Sequence, residues 1–222
     1  LDIREAIKNR HSVRQFKSDS IELEKRDELD MLAEECNGLS GLNIQVIYDD
    51  AECFDTLLAH YGKFTNVRNY IAIVGDKSID DLEELSGYFG EKMVIRAQQL
   101  GLNTCWVGLT YGKGKCKAEI GKNEKLVCVI ALGYGETEGT GHKSKSVREL
   151  CNVEPNDMPI WFKNGMVSAM KAPTAMNQQK FYITLGEDGE VSIDAKKGFF
   201  AEVDLGIVKY HFEVISGRKC KI

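Results

Sequence analysis

The sequence predicts a compact protein of the α+β or α/β class, and three observations predict it. Two apolar runs, Asn69 to Gly75 and Leu126 to Leu132, have the length and continuity of strands buried on both faces. Amphipathic stretches with a helical period alternate with the strand candidates, the clearest from Asp80 to Leu100. No low-complexity segment interrupts the alternation. With 222 residues, 43% hydrophobic and 28% charged, the chain has an ordinary globular balance and can bury a substantial core.

In chain order, Leu1 to Asn9 reads as a short helix with Ile3, Ala6 and Ile7 on one face. Ser20 to Leu23 reads as the start of a second helix that ends at Asn37-Gly38. Asn43 to Asp49 is a strand candidate and Ala51 to His60 a helix candidate. In the helix over Asp80 to Leu100, Phe89, Met93, Ala97 and Leu100 mark one face, and Gly101 is its stop. Thr104 to Leu109 is expected to be a strand and Lys117 to Ile120 a single helical turn. Gly133 to Ser146, glycine-rich and basic, is a loop, and Pro155 and Pro159 mark a connection. A helix over Trp161 to Lys171 stops before Pro173. Phe181 to Leu185 and Glu190 to Ile193 flank Asp188-Gly189 as a hairpin, and a last helix runs from about Val203 to Ser216.

The net charge of −5 argues against nucleic acid as a bulk electrostatic partner, while a basic pocket for a small anion stays open. Seven cysteines without a C-x-x-C pair and four scattered histidines indicate neither a disulfide framework nor a metal site. No apolar run reaches membrane-spanning length, and no signal-peptide pattern opens the chain. The expected location is therefore the cytoplasm, with a native start upstream of Leu1.

The first candidate site is Arg10-His11-Ser12-Val13-Arg14-Gln15-Phe16. In extended backbone, Arg10, Ser12 and Arg14 point to one side and form a donor set for a phosphate or carboxylate. If the preceding helix continues instead, Arg10 and Arg14 share a face, Ser12 turns away, and the stretch is a solvated basic helix end. Two nucleotide motifs fail on spacing. Gly133-Tyr134-Gly135 is followed by Glu138 where a dinucleotide fingerprint needs glycine, and Gly112-Lys113-Gly114-Lys115 lacks the spacing and hydroxyl of a phosphate-binding loop. Lys143 and Lys145 are either point charges for a phosphate or solvated lysines. Ala172-Pro173-Thr174-Ala175-Met176-Asn177-Gln178-Gln179 combines small residues with directional amides. It suits the edge of a flat heterocycle, or equally a helix-to-strand loop whose amides satisfy its own backbone.

Together these segments resemble the FMN-dependent nitroreductase family. Arg10 to Phe16 is similar to its N-terminal R-x-S-x-R-x-F signature, and Ala172 to Gln179 to its A-P-S-x-x-N-x-Q segment. Phe89 to Gly108 resembles its central helix followed by G-L-x-T-C-W-x-G. The resemblance implies an α+β fold, a central and mainly antiparallel sheet flanked by helices, with FMN as cofactor. It implies that Arg10, His11 and Ser12 hold the phosphate and ribityl end, and that Arg14 lies near the ring. Trp106, Val107 and Gly108 would border the ring's N5 edge, with Lys143 or Lys145 supplying a last phosphate charge. Pro173, Thr174, Ala175, Asn177 and Gln179 would cover the ring. It singles out no catalytic acid and no metal.

One departure concerns order. In the family the amide-bearing segment follows soon after the arginine signature, whereas here it stands in the last quarter. Gly38 to Gln45 occupies the expected place, and aligned on Ala172 to Gln179 it sets Ser40 on Thr174, Asn43 on Asn177 and Gln45 on Gln179. Gly90 and Gly101 likewise echo Gly206 and Gly217. We therefore expect an internal duplication, with a larger half over 1–155 and a shorter half over 156–222 that completes the flavin site. The expected assembly is a single-chain pseudo-dimer or a homodimer. The expected activity moves hydride from NADH or NADPH to a nitroaromatic, quinone or similar planar acceptor. The alternative is a flavin-binding protein of regulatory use without turnover.

Overall fold

A computed structural model describes residues 1–220. The chain divides into two compact units, one formed by Leu1–Leu82 with Lys92–Gly141, the other by Glu83–Glu91 with the residues from His142 onward.

The first unit contains α1 (Ile3–Asn9), α2 (Leu23–Ser40), β1 (Asn43–Ile47), α3 (Leu57–Tyr61), β2 (Asn69–Asp76), half of α4 (Leu82–Gln99), β3 (Asn103–Val107) and β4 (Glu124–Gly133). Its four strands form one antiparallel sheet in the order β1-β2-β4-β3. Both central strands are apolar runs buried throughout most of their length, as their composition requires. One face of the sheet carries Tyr70, Ala72, Val74, Cys105, Val107, Val129 and Ala131 into a core with Val13, Phe16, Phe54 and Phe64. Ile71, Ile73, Ile130 and Leu132, on the alternate positions, are equally buried. An antiparallel sheet thus reads in sequence like a parallel one because neither face of its centre meets water.

The second unit contains the Glu83–Glu91 portion of α4, then α5 (Val147–Leu150), α6 (Ile160–Ala169), the hairpin β5 (Phe181–Leu185) and β6 (Val191–Ala195), and α7 (Ala201–Ser216). Gly189, at φ +81°, supplies the hairpin's left-handed residue. In α7 a Cβ on Gly206 would lie 1.9 Å from the Glu84 carbonyl oxygen, and one on Gly87 equally close to that of Val203. Two glycines thus let the two helical backbones meet directly. The fully buried His211 of α7 joins the fully buried Glu91 at 2.8 Å and the Ser168 carbonyl of α6 at 3.1 Å.

Three local expectations are corrected. The second helix does not end at Asn37-Gly38 but runs to Ser40 and stops at Gly41, φ +73°. The Asn37 side chain reaches forward instead, bonding the N–H of Ile44 at 2.7 Å and its carbonyl at 3.0 Å. Ala51 to His60 yields helix only over Leu57–Tyr61, because Asp50 accepts the N–H of Glu52 and Thr56 starts afresh by capping Ala59. Lys117 to Ile120 is not helical. The Gln45 amide takes both the N–H and the carbonyl of Glu119, at 2.8 and 2.7 Å, and the one short turn lies earlier, over Lys113–Lys115.

Candidate functional site

The helix α1 begins on Asp2, whose carboxylate accepts the N–H groups of Arg4 and Glu5, and ends at Arg10 in extended conformation. The extended alternative for the basic segment is therefore the one adopted. β3 is an edge strand of the sheet, and its open side takes this segment. Ser12 bridges Thr104, and the Val13 N–H donates to the Thr104 carbonyl at 3.0 Å. Farther on, the Phe16 N–H donates to Thr65 and the Lys17 N–H to Tyr134. Val13 and Phe16 anchor the stretch in the core.

This placement aims three polar side chains at one point on β3. Ser12, Arg14 and Arg10 all act on the buried Cys105 thiol, which itself donates to the Trp106 carbonyl at 3.6 Å. Burial nevertheless dominates and pushes the Cys105 thiol up. Arg10 is buried, His11 and Ser12 are half-buried, and Arg14 is exposed, so the cluster grades from the interior outward. The His11 ring meets the Glu138 carbonyl at 3.3 Å. Gly139, at φ +70°, brings its backbone so near that a Cβ would stand 2.9 Å from that of His11. At the end of β3, Trp106 and Gly108 are half-buried and Val107 is buried.

In the second unit, Ala172–Gln179 leaves α6 and enters β5 through a turn at Ala175–Asn177. Met176, Asn177 and Gln179 have φ of +52°, +51° and +46°, left-handed backbone that non-glycine residues seldom adopt. Such backbone persists only where surrounding contacts impose it. The Asn177 amide donates to the Lys143 carbonyl at 3.0 Å and accepts from the Gln179 amide at 2.9 Å. Gln179 also donates to the Lys143 carbonyl and accepts the Lys145 N–H at 2.8 Å. The Lys145 ammonium binds the carbonyls of Gln178 and Gln179 at 2.8 and 3.0 Å. Thr174 accepts the Gln179 N–H at 3.0 Å. Pro173, Thr174 and Ala175 are half-buried, and Lys143 is exposed. Of the two lysines, Lys145 thus works as a clamp on the loop, and the Gln179 amide has its hydrogen bonds filled inside it.

Two residues that shape these sites were not singled out in the sequence. Cys105, the point on which Arg10, Ser12 and Arg14 converge, stands there within the strand motif but is given no role. Asp204, in the first turn of α7, accepts the Ala175 N–H at 2.8 Å and the Gln178 amide at 2.7 Å. Burial pushes its carboxyl up to about 6, against the two hydrogen bonds that favour the charged form. An acidic residue in a first helical turn has a routine explanation in the helix dipole, which hides this one.

The fold is shared with solved nitroreductases. A "putative nitroreductase" from Thermotoga maritima matches 99% of this chain and 87% of its own, at 21% identity and a TM-score of 0.70. A "putative nitroreductase in complex with FMN" from Desulfovibrio desulfuricans matches 70% of this chain and 98% of its own, at 20% identity and a TM-score of 0.52. A "putative NADH dehydrogenase/NAD(P)H nitroreductase" from Bacteroides thetaiotaomicron covers 68% and 96%, at 18% identity and 0.53. No curated protein matches the sequence. The family model described as "Putative TM nitroreductase" matches residues 2–216. The chain belongs to that nitroreductase family.

Proposed function

We propose that the protein is an FMN-dependent oxidoreductase that passes hydride from NADH or NADPH to a planar acceptor of the nitroaromatic or quinone class. The observation that carries this reading is the convergence of Arg10, Ser12 and Arg14 beside the edge strand β3, in a chain whose family is established. That donor set suits a flavin mononucleotide. Two guanidinium groups can meet an anion in forked geometry, and a hydroxyl and an imidazole stand between them. In this reading Arg10, His11, Ser12 and Arg14 hold the anionic and polar parts of the cofactor, and Trp106, Val107 and Gly108 border its ring. Lys143 offers an exposed charge. Pro173, Thr174, Ala175, Asn177 and Gln179 present a preshaped loop, fixed by its internal hydrogen bonds. When bound, FMN supplies hydride acceptance and donation. The arginine charges balance the negative charge that reduction adds, an electrostatic role rather than proton transfer.

The same reading takes the chain as an internal duplication, a single-chain counterpart of a dimer that is free to pair further. Supporting it, α4 and α7 each end at a left-handed glycine, Gly101 and Gly217, and within the second unit they meet reciprocally through Gly87 and Gly206. Among the described residues no helix is long and apolar enough to cross a membrane, and the cysteines are free thiols, which supports a cytoplasmic site of action.

The test is spectroscopic. Purified protein should carry flavin absorbance that NADH or NADPH bleaches without oxygen and a quinone restores. Flavin absorbance inert to both would make the protein a binder without turnover. A colourless protein that also refuses added FMN would overturn both.

A further inference from the structure

The basic stretch Gly112–Lys117, rejected above as a phosphate-binding loop, surrounds a cysteine. Lys113–Lys115 form a single turn with all three residues exposed, and the half-buried Cys116 follows in extended backbone. Its side chain packs against the apolar cluster that holds the completely buried Cys53, and the two thiols interact. Main chain fastens the two loops that carry them. The Gly112 N–H donates to the Cys53 carbonyl at 2.7 Å, and a Cβ on Gly112 would stand 2.7 Å from the Thr56 methyl. Beneath the pair, the Tyr70 hydroxyl donates to the Asp50 carboxylate at 2.7 Å and accepts the Lys117 N–H at 2.9 Å. The Lys117 ammonium closes on Asp50 at 3.2 Å.

The two thiols are unequal. Cys53 is enclosed, and its interaction with Cys116 together with burial pushes its thiol far up, so it keeps its proton. Cys116 is favoured as the charged partner by Cys53 first of all, and by the Ala118 N–H besides. Tyr70 has one proton and gives it to Asp50, so it adds no second donor. Burial and the Asp50 charge oppose these interactions, yet Cys116 is drawn below the ordinary thiol range, with Lys115 and Lys117 adjacent to it in the chain. The other five cysteines are buried, and burial raises each of them.

We propose that Cys53 and Cys116 form a peroxide-reactive dithiol, a modification site separate from the flavin-binding residues, with Cys116 as the attacking thiol and Cys53 as the resolving one. The Cys116 thiolate attacks one oxygen of a hydroperoxide. The O–O bond breaks, Cys116 becomes a sulfenic acid, and the departing oxygen leaves as hydroxide or alkoxide and takes a proton from water. The Cys53 sulfur then attacks the Cys116 sulfur and surrenders its proton as the S–O bond breaks. One water leaves and one disulfide remains. The two electrons that reduce the peroxide come from the thiol pair.

Intact protein, exposed to a small excess of hydrogen peroxide at neutral pH and mapped by mass spectrometry, decides the matter. The expected product lacks two hydrogen atoms, joins the peptides of Cys53 and Cys116, and reverts with dithiothreitol. Cys53→Ser should leave a dimedone-trapped sulfenic acid on Cys116, and Cys116→Ser should abolish labelling at both positions. Iodoacetamide should modify Cys116 at least tenfold faster than any other cysteine, with a rate that rises at lower pH than for an ordinary thiol. Should Cys53→Ser fail to fold, the wild-type map and alkylation rates suffice. Oxidation scattered over other cysteines, or a natively folded protein without a 53–116 disulfide, would overturn the proposal.

Discussion

Asp204 gives the sharpest quantitative prediction for the second unit. It is 4% exposed, and its carboxyl titrates near 6 instead of 3.8. The unfolded chain releases this proton near the lower value, while the folded chain retains it until the higher one. Between the two the folded state binds more protons, so rising pH works against folding. The contribution is fully present below about pH 4 and is lost as pH climbs through about 6. A shift of this size corresponds to about 3 kcal/mol between the two limits, since one pKa unit is about 1.4 kcal/mol. Asp204→Asn removes the titration. The replacement can still accept the Ala175 N–H, but its amide nitrogen faces that of Gln178, which also donates to the Phe199 carbonyl and so resists reversal. Chemical denaturation at pH 4.5 and 7, read by Trp161 fluorescence in α6, measures the second unit in both proteins, with Trp106→Phe as the common background. The wild type should lose stability relative to the variant by about 2 kcal/mol over this range, most of the full shift. Taking the difference cancels the carboxyls that shift the other way, Glu22, Asp76 and Glu149, whose folded forms titrate low and favour higher pH. Parallel pH dependences in the two proteins would refute the reasoning.

Three further outcomes are expected. Arg10→Ala should weaken FMN binding roughly 10- to 150-fold, the equivalent of a charge-assisted hydrogen bond at about 1.5–3 kcal/mol, and an unchanged titration would remove Arg10 from the site. Asn177→Ala loses two side-chain bonds and places alanine at φ +51°, whereas Asn177→Gly loses the bonds and keeps the backbone unstrained. Flavin binding or reduction should fall in both, further in the alanine variant, and a full retention in both would detach the loop from function. Gly206→Ala must push α7 away from α4, since its methyl would meet the Glu84 carbonyl at 1.9 Å. Thermal unfolding should come about 6–12 °C earlier, for an overpacking cost of about 3 kcal/mol.

Much of the fold was legible because the signals were redundant. The central strands announced themselves through apolar runs, and the long helices through a helical period closed by Gly101 and Gly217. What stayed hidden depended on side chains reaching across the sequence. Asn37-Gly38 looks like a helix stop, yet Asn37 is needed seven residues later at Ile44. Lys117 to Ile120 looks like a helical turn, yet Gln45, over seventy residues away, claims its backbone. The arginine signature was readable as a motif, but its backbone state was not, because that is decided by the open edge of β3 at Thr104.

The amide-bearing loop is built from within. Amides that satisfy their own backbone and amides that serve a ligand were set against each other, and the side-chain amides of Asn177, Gln178 and Gln179 bond protein atoms around the loop. Gln179, Lys145 and Asp204 fasten the loop from within. Their bonds hold Met176 and Asn177 in a left-handed conformation that costs on the order of 1–3 kcal/mol per residue. A loop with no task beyond joining α6 to β5 could relax that backbone with glycine or a longer connection. Met176 instead stands 80% exposed at the crest of the strained turn, a position that internal packing does not require. Under the proposed function this strained turn is a contact surface, and Met176→Ala should then alter flavin or acceptor binding while leaving unfolding almost unchanged.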